Sequence, residues 1–142
     1  MDAAVVVDAS VWASGLINRD VNNTTSRLWL RRYITEGGII MAPTFLLIEL
    51  AAAVSRQAGQ PIAGLSAVKD VFYIRATHFQ SPNPPLFWEA VELAAGLSLR
   101  AGDAIYVALA RQLNIPLVSW DREQLQRARS LIATYTPNDY PF

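Results

Sequence analysis

Ala3 to Val7 is an unbroken apolar run, rich in β-branched residues, that stops at Asp8. With no polar alternation, such a run fits a strand covered on both faces, the situation of strands in a parallel sheet. Ile39 to Ala42 and Pro116 to Ser119 have the same character, and Tyr73 to Phe79 and Leu131 to Tyr135 read as further extended pieces. Between them lie segments with helical apolar spacing. These are Val11 to Ile17, with Ser10 at its start, and a helix running to about Tyr33, with Thr24 and Thr25 as candidate caps after the polar loop Asn18 to Asn23. Phe45 to Gln57 is opened by Pro43 and closed by Gly59, and Pro61 to Phe72 follows. Phe87 to Leu97, Asp103 to Leu113 with Asn114 behind it, and Asp121 to Ser130 complete the helices. Ser81-Pro82-Asn83-Pro84-Pro85 reads as a loop, because proline blocks helix continuation.

Strands alternating with helices imply an α/β fold, a three-layer α/β/α arrangement with a central, mainly parallel sheet. In such sheets ligands sit beyond the carboxyl ends of the strands. The length suits one domain over residues 1–142. A content of 52% hydrophobic and 17% charged residues excludes a disordered chain. The absence of cysteine excludes disulfides, thiolate zinc sites and cysteine catalysis. Twelve basic and twelve acidic residues cancel, so binding to a polyanion must come from a local patch. All the basic residues but Lys69 are arginine, whose planar fork suits phosphate, although genome composition produces the same bias. The N-terminal segment lacks a basic leader, and the longest apolar stretch, Ile39 to Val54, is broken by Pro43, Thr44 and Glu49. A cytoplasmic protein with no membrane span is expected.

Four carboxylates stand out. Asp8 and Asp121 each follow a buried strand, and if those strands are neighbours the acids are too. Either alone is also explained as a helix N-cap. Glu49 interrupts Phe45-Leu46-Leu47-Ile48 and Leu50-Ala51-Ala52-Ala53-Val54, so it needs a cation, hydrogen bonds or a proton, with Arg56 two turns on as a possible ion-pair partner. Asp103 opens an apolar helix, where the dipole favours a negative charge. Gathered in one place, four carboxylates repel, and a divalent cation removes the conflict. Oxygen ligands without cysteine point to Mg²⁺ or Mn²⁺. His78, the sole histidine, lies outside these motifs. Arg27, Arg31 and Arg32, or Arg122, Arg127 and Arg129, could contact phosphate or simply be solvated helix faces. Trp12, Trp29, Trp88 and Trp120 could stack on bases, but their apolar spacings suit core or dimer packing better, and only Trp120, beside Asp121, is a candidate for stacking.

The segments Val5-Val6-Val7-Asp8-Ala9-Ser10, Leu47-Ile48-Glu49-Leu50, Gly102-Asp103-Ala104-Ile105-Tyr106-Val107-Ala108-Leu109-Ala110 and Leu117-Val118-Ser119-Trp120-Asp121, in this order, resemble the PIN-domain family. Length and motif style are similar to its VapC-type toxins of toxin-antitoxin pairs. The resemblance implies a flavodoxin-like fold and a metal-dependent endoribonuclease acting on RNA, with Asp8, Glu49, Asp103 and Asp121 at a Mg²⁺ or Mn²⁺ site. It places Ser10 and Ser119 beside that site, orienting carboxylates or water, although Ser10 is also explained as a helix cap. It further implies a homodimer and an antitoxin partner whose tail occupies the acidic groove. The alternatives are a PIN nuclease that processes RNA without an antitoxin, and a non-catalytic PIN-like module binding RNA or protein, with the acids serving as caps and ion pairs.

Overall fold

The computed structural model describes residues 1–142. In chain order the elements are β1 (Ala4–Val7), α1 (Ala9–Leu16), α2 (Asn23–Thr35), β2 (Ile39–Pro43), α3 (Phe45–Ala58) and α4 (Pro61–Phe72). They continue with β3 (Thr77–Gln80), α5 (Pro84–Leu97), α6 (Ala101–Leu113), β4 (Leu117–Val118), α7 (Arg122–Ala128) and β5 (Thr134–Tyr135). The strands form one sheet in the order β3-β2-β1-β4-β5, and every pairing is parallel. β1 is central: Val5 pairs with Ile40 of β2, and Val7 with Val118 of β4.

The unbroken Val5-Val6-Val7 run is explained by this placement, since all three side chains are fully buried, together with Leu117 and Val118. Helices α1 and α2, α1 and α3, and α3 and α4 pack on one another, whereas α5 packs with α6, and α6 lies against β1 and β2. Right-handed crossovers put the two groups on opposite faces: β1→β2→β3 runs one way across the sheet, and β3→β4→β5 returns the other way. The reversal falls between β1 and β4, which is where such a sheet opens a crevice at its carboxyl edge. Leu46 and Leu50 on α3 are fully buried, each contributing about 1.5–3 kcal/mol of burial free energy. No single helix is long and apolar enough to cross a membrane, and α5 and α6, which together have the length, meet at 115°.

Several boundaries differ from the sequence reading: β3 begins at Thr77 rather than Tyr73 and β5 at Thr134 rather than Leu131, because the residues before each form turns. Pro84 and Pro85 belong to α5, because Asn83 caps the helix by accepting from the Leu86 N–H at 2.9 Å and prolines are tolerated where no intrahelical donor is needed. Pro43 closes β2 rather than opening α3. α6 starts at Ala101, which moves Asp103 from the helix front into its first turn.

Close packing of α4 on α3 depends on Gly64, where a β-carbon would lie 2.5 Å from the Ala51 carbonyl oxygen and closer still to Ser55 Oγ. Gly64→Ala is expected to lower the unfolding free energy by about 1–3 kcal/mol, the usual range for overpacking. Urea denaturation at constant m-value checks this; an unchanged midpoint would mean that α4 shifts freely.

Candidate active site

Asp8 stands at the carboxyl end of β1, only 6% exposed, and caps α1. Its Oδ2 accepts from the Ser10 N–H at 2.9 Å and from Ser119 Oγ at 3.3 Å, and its Oδ1 accepts from Gln124 Nε2 at 3.4 Å. The helix cap is thus Asp8, not Ser10. Ser10 Oγ lies 3.3 Å from Ser119 Oγ and accepts the Trp120 N–H at 3.0 Å, while Ser119 Oγ accepts the Asp121 N–H at 3.0 Å. The two serines therefore tie the end of β1 to the end of β4. Ser119→Ala would strip partners from Asp8 and from the Asp121 N–H, and is expected to cost about 1–3 kcal/mol of stability in the same urea assay; no loss would show that these groups find other partners.

Glu49 projects from α3, and its Oε1 accepts from the Tyr106 hydroxyl of α6 at 2.6 Å. This bond joins the two helical layers across the sheet's carboxyl edge. Gly102 keeps the approach open, since a β-carbon there would sit 3.0 Å from Phe45 Cε1 and 3.6 Å from Glu49 Oε2. Arg56 forms no ion pair with Glu49: the acid is satisfied from the opposite layer, which helical spacing along α3 could not reveal. Burial pushes the Glu49 carboxyl up to about 7; the Tyr106 bond pulls it down, and the charges of Asp8 and Asp103 raise it again. Burial, the charge of Glu49 and the charge of Asp8 hold the Tyr106 phenol well above its ordinary value, so it stays a proton donor.

Asp103 is raised first by burial, then by Asp8 and Asp121, against an opposing pull from Arg100. Asp121 caps α7 through Oδ1, which accepts the Gln124 N–H at 3.1 Å. Arg100, whose side chain is 77% exposed, reaches Asp103 Oδ2 at 3.2 Å and Asp121 Oδ2 at 2.7 Å. The four predicted carboxylates thus lie around the carboxyl edge at the sheet reversal, where the charges of Asp8 and Asp103 act on Glu49 and those of Asp8 and Asp121 act on Asp103. As placed, however, no group of three or more of the acids is set to hold a metal ion. The donor set is nonetheless chemically suited to a hard cation: it is all oxygen, neighbouring carboxylates raise both Glu49 and Asp103, and Mg²⁺ commonly takes only one or two carboxylates directly and keeps its waters.

Three contributors escaped the sequence reading. Gln124 is 1% exposed, and its Nε2 lies 3.4 Å from both Asp8 Oδ1 and the Asp103 carbonyl, while its Oε1 has no partner. The signal was Asp121-Arg122-Glu123-Gln124, a capping-box pattern that would assign the glutamine to the cap instead. Tyr106 lies inside an apolar helical run and Arg100 just before it, so neither carries a local signal of its own. His78 lies exposed on the edge strand β3, remote from this chemistry in the sequence pattern as well.

A family model described as the PIN domain matches residues 5–130, and the chain belongs to that family. No curated protein sequence matches it significantly. Among solved structures, it is similar to the sarcin-ricin loop cleaving toxin VapC20 of Mycobacterium tuberculosis, at TM-score 0.72 and 19% identity over 84% of this chain and 92% of that one. It is also similar to a chain of VapBC2 from Rickettsia felis bound to a promoter DNA fragment, at TM-score 0.70 and 14% identity over 93% and 98%. A chain of FitAcB from Neisseria gonorrhoeae matches at TM-score 0.69 and 16% identity over 96% and 99%.

Proposed function

We propose that this protein is a Mg²⁺- or Mn²⁺-dependent endoribonuclease and the toxin of a VapBC-type pair. The observation that supports the reading is that, in a PIN-domain protein, Glu49 is pushed up to about 7 by burial and by Asp8 and Asp103, and Asp103 is raised in turn by burial, Asp8 and Asp121. The sarcin-ricin loop cleavage named for VapC20 supports RNA as the substrate class. Asp8, Glu49, Asp103 and Asp121 would hold the cation, which supplies charge neutralisation at the phosphate and a more acidic water.

The chain's own residues set up this chemistry. Ser119, the Ser10 N–H and Gln124 fix the Asp8 carboxylate, and Tyr106 fixes that of Glu49. Glu49 holds its proton to about pH 7 and releases it when positive charge enters. Arg100 offsets Asp103 and Asp121 meanwhile.

An antitoxin is the proposed protein partner, supported by the complexes of Rickettsia and Neisseria in which similar folds occur. Self-association as a homodimer is proposed alongside it; light scattering that returned a monomer at all concentrations would remove it. The central test is cleavage of a mixed pool of structured RNAs by the purified protein with Mg²⁺, Mn²⁺ or EDTA. Metal-dependent internal cleavage is expected, and intact RNA under every condition would overturn the proposal.

A further inference from the structure

Beside the acid cluster opens a pocket of about 460 Å³ whose walls include Ser10, Asp20, Asn22, Arg56, Gln57 and Trp120. That volume lies within the range of small-molecule sites. Two of its wall residues adjoin the carboxylates, since the Ser10 N–H donates to Asp8 and Trp120 precedes Asp121 in the chain. The indole is fixed in advance. Its Nε1–H donates to Ser26 Oγ at 2.8 Å, Ser26 Oγ lies 2.6 Å from Ser14 Oγ, and both serines are buried. The backbone N–H of Trp120 is fixed as well, by Ser10 Oγ. Trp120 nevertheless remains partly exposed to the pocket.

The other walls define what such a ring would meet. Arg56 has no carboxylate within ion-pair distance, so its guanidinium is free for an anion. The Asp20 carboxylate is partly engaged by the Asn22 N–H at 2.8 Å. Asn22 and Gln57 carry amides, which can both donate to and accept from a base edge. An oriented indole, an unpaired guanidinium and paired amides together fit a nucleotide: the ring stacks on Trp120 and the phosphate meets Arg56. A protein segment would have less use for the flat platform.

We propose that this pocket seats the nucleotide next to the phosphate at the acid cluster, with Trp120 as stacking platform and Arg56 as phosphate contact, which makes them specificity-determining residues for RNA. The assignment rests on the nuclease reading, but its test does not require turnover. With ¹⁵N-tryptophan-labelled protein in EDTA, the Trp120 indole N–H signal, identified by Trp120→Phe among the four tryptophans, is followed during titration with each ribonucleoside 5′-monophosphate. A saturable shift with at least one of them is expected, weakened at least about tenfold by Arg56→Ala. In fluorescence anisotropy with labelled single-stranded RNA and EDTA, Trp120→Leu should weaken binding at least about fivefold. Trp120→Phe, which keeps a ring, should retain most of it.

A Trp120 signal that none of the four nucleotides moves overturns the proposal, as does one that moves only with a basic peptide, which would make the pocket a protein-docking site. RNA cleavage by a protein whose Trp120 stays silent removes the subsite and leaves the nuclease. A nucleotide-responsive Trp120 in a protein that cleaves no RNA does the reverse.

Discussion

Asp8→Asn is expected to lower metal-dependent RNA cleavage at least about a hundredfold, since loss of partners that merely orient a metal ligand already costs 10–100-fold, while the protein stays folded. Asp8 is nearly buried and accepts from Ser10, Ser119 and Gln124, so an isosteric amide keeps the volume and part of the bonding. The new amide hydrogens need an acceptor. Gln124 can supply one, because its Oε1 is unpartnered and a turn of its amide presents that oxygen to residue 8. Cleavage assays with Mg²⁺ and Mn²⁺, beside melting curves, check the claim. A fully active variant would sink the site assignment, and an unfolded one would leave Asp8 as a helix cap and sheet tie only.

The second large effect concerns Glu49. Its carboxyl lies at about 7 in the folded protein against an ordinary 4.5, with burial as the main cause. A group raised on folding contributes stability that is fully present below about pH 4.5 and is lost as pH rises through about 7. The metal-free protein should therefore be less stable at pH 8 than at pH 5 on this account. Glu49 is partly exposed, so solvent screening discounts the effect to about 1–2 kcal/mol. Glu49→Gln, which can still accept from Tyr106, is expected to recover that amount at pH 8, to change nothing near pH 4, and to lose divalent-ion affinity. Urea midpoints in EDTA at several pH values measure it. Identical pH slopes for the two proteins would show that Glu49 carries no strain in the metal-free fold.

The chemistry of β1 was readable because three consecutive buried valines leave few alternatives to a central parallel strand, and because Asp8 ends the run. The positions of Asp103 and Asp121 were readable in the same way, from acids next to apolar segments. What could not be read was anything decided between layers. Arg56 is two turns from Glu49 and looked like its partner, yet Tyr106 reaches Glu49 from α6. Gln124 matches a capping pattern, yet its side chain turns to Asp8. The Asn83-Pro84-Pro85 segment was misread for a local reason: prolines end a helix from within but fit its first turn once a cap precedes them. β4 and β5 fall inside the extended segments expected at Pro116 to Ser119 and Leu131 to Tyr135, but at two residues each their ends are finer than any periodicity can register.

Arg100 gives the site an occupant of its own. With its guanidinium at 2.7 Å from Asp121 and 3.2 Å from Asp103, a cation arriving between those acids would not fill a vacancy but evict a tenant. Uptake would then be an exchange, its free energy the difference between two attractions rather than the whole of one. The evicted side chain is long and solvent-exposed, so the event that loaded the acids would also set loose a positive charge at the rim. Occupancy and the outward charge of the rim would thereby be geared together by one residue, and a neutral replacement at position 100 would uncouple them.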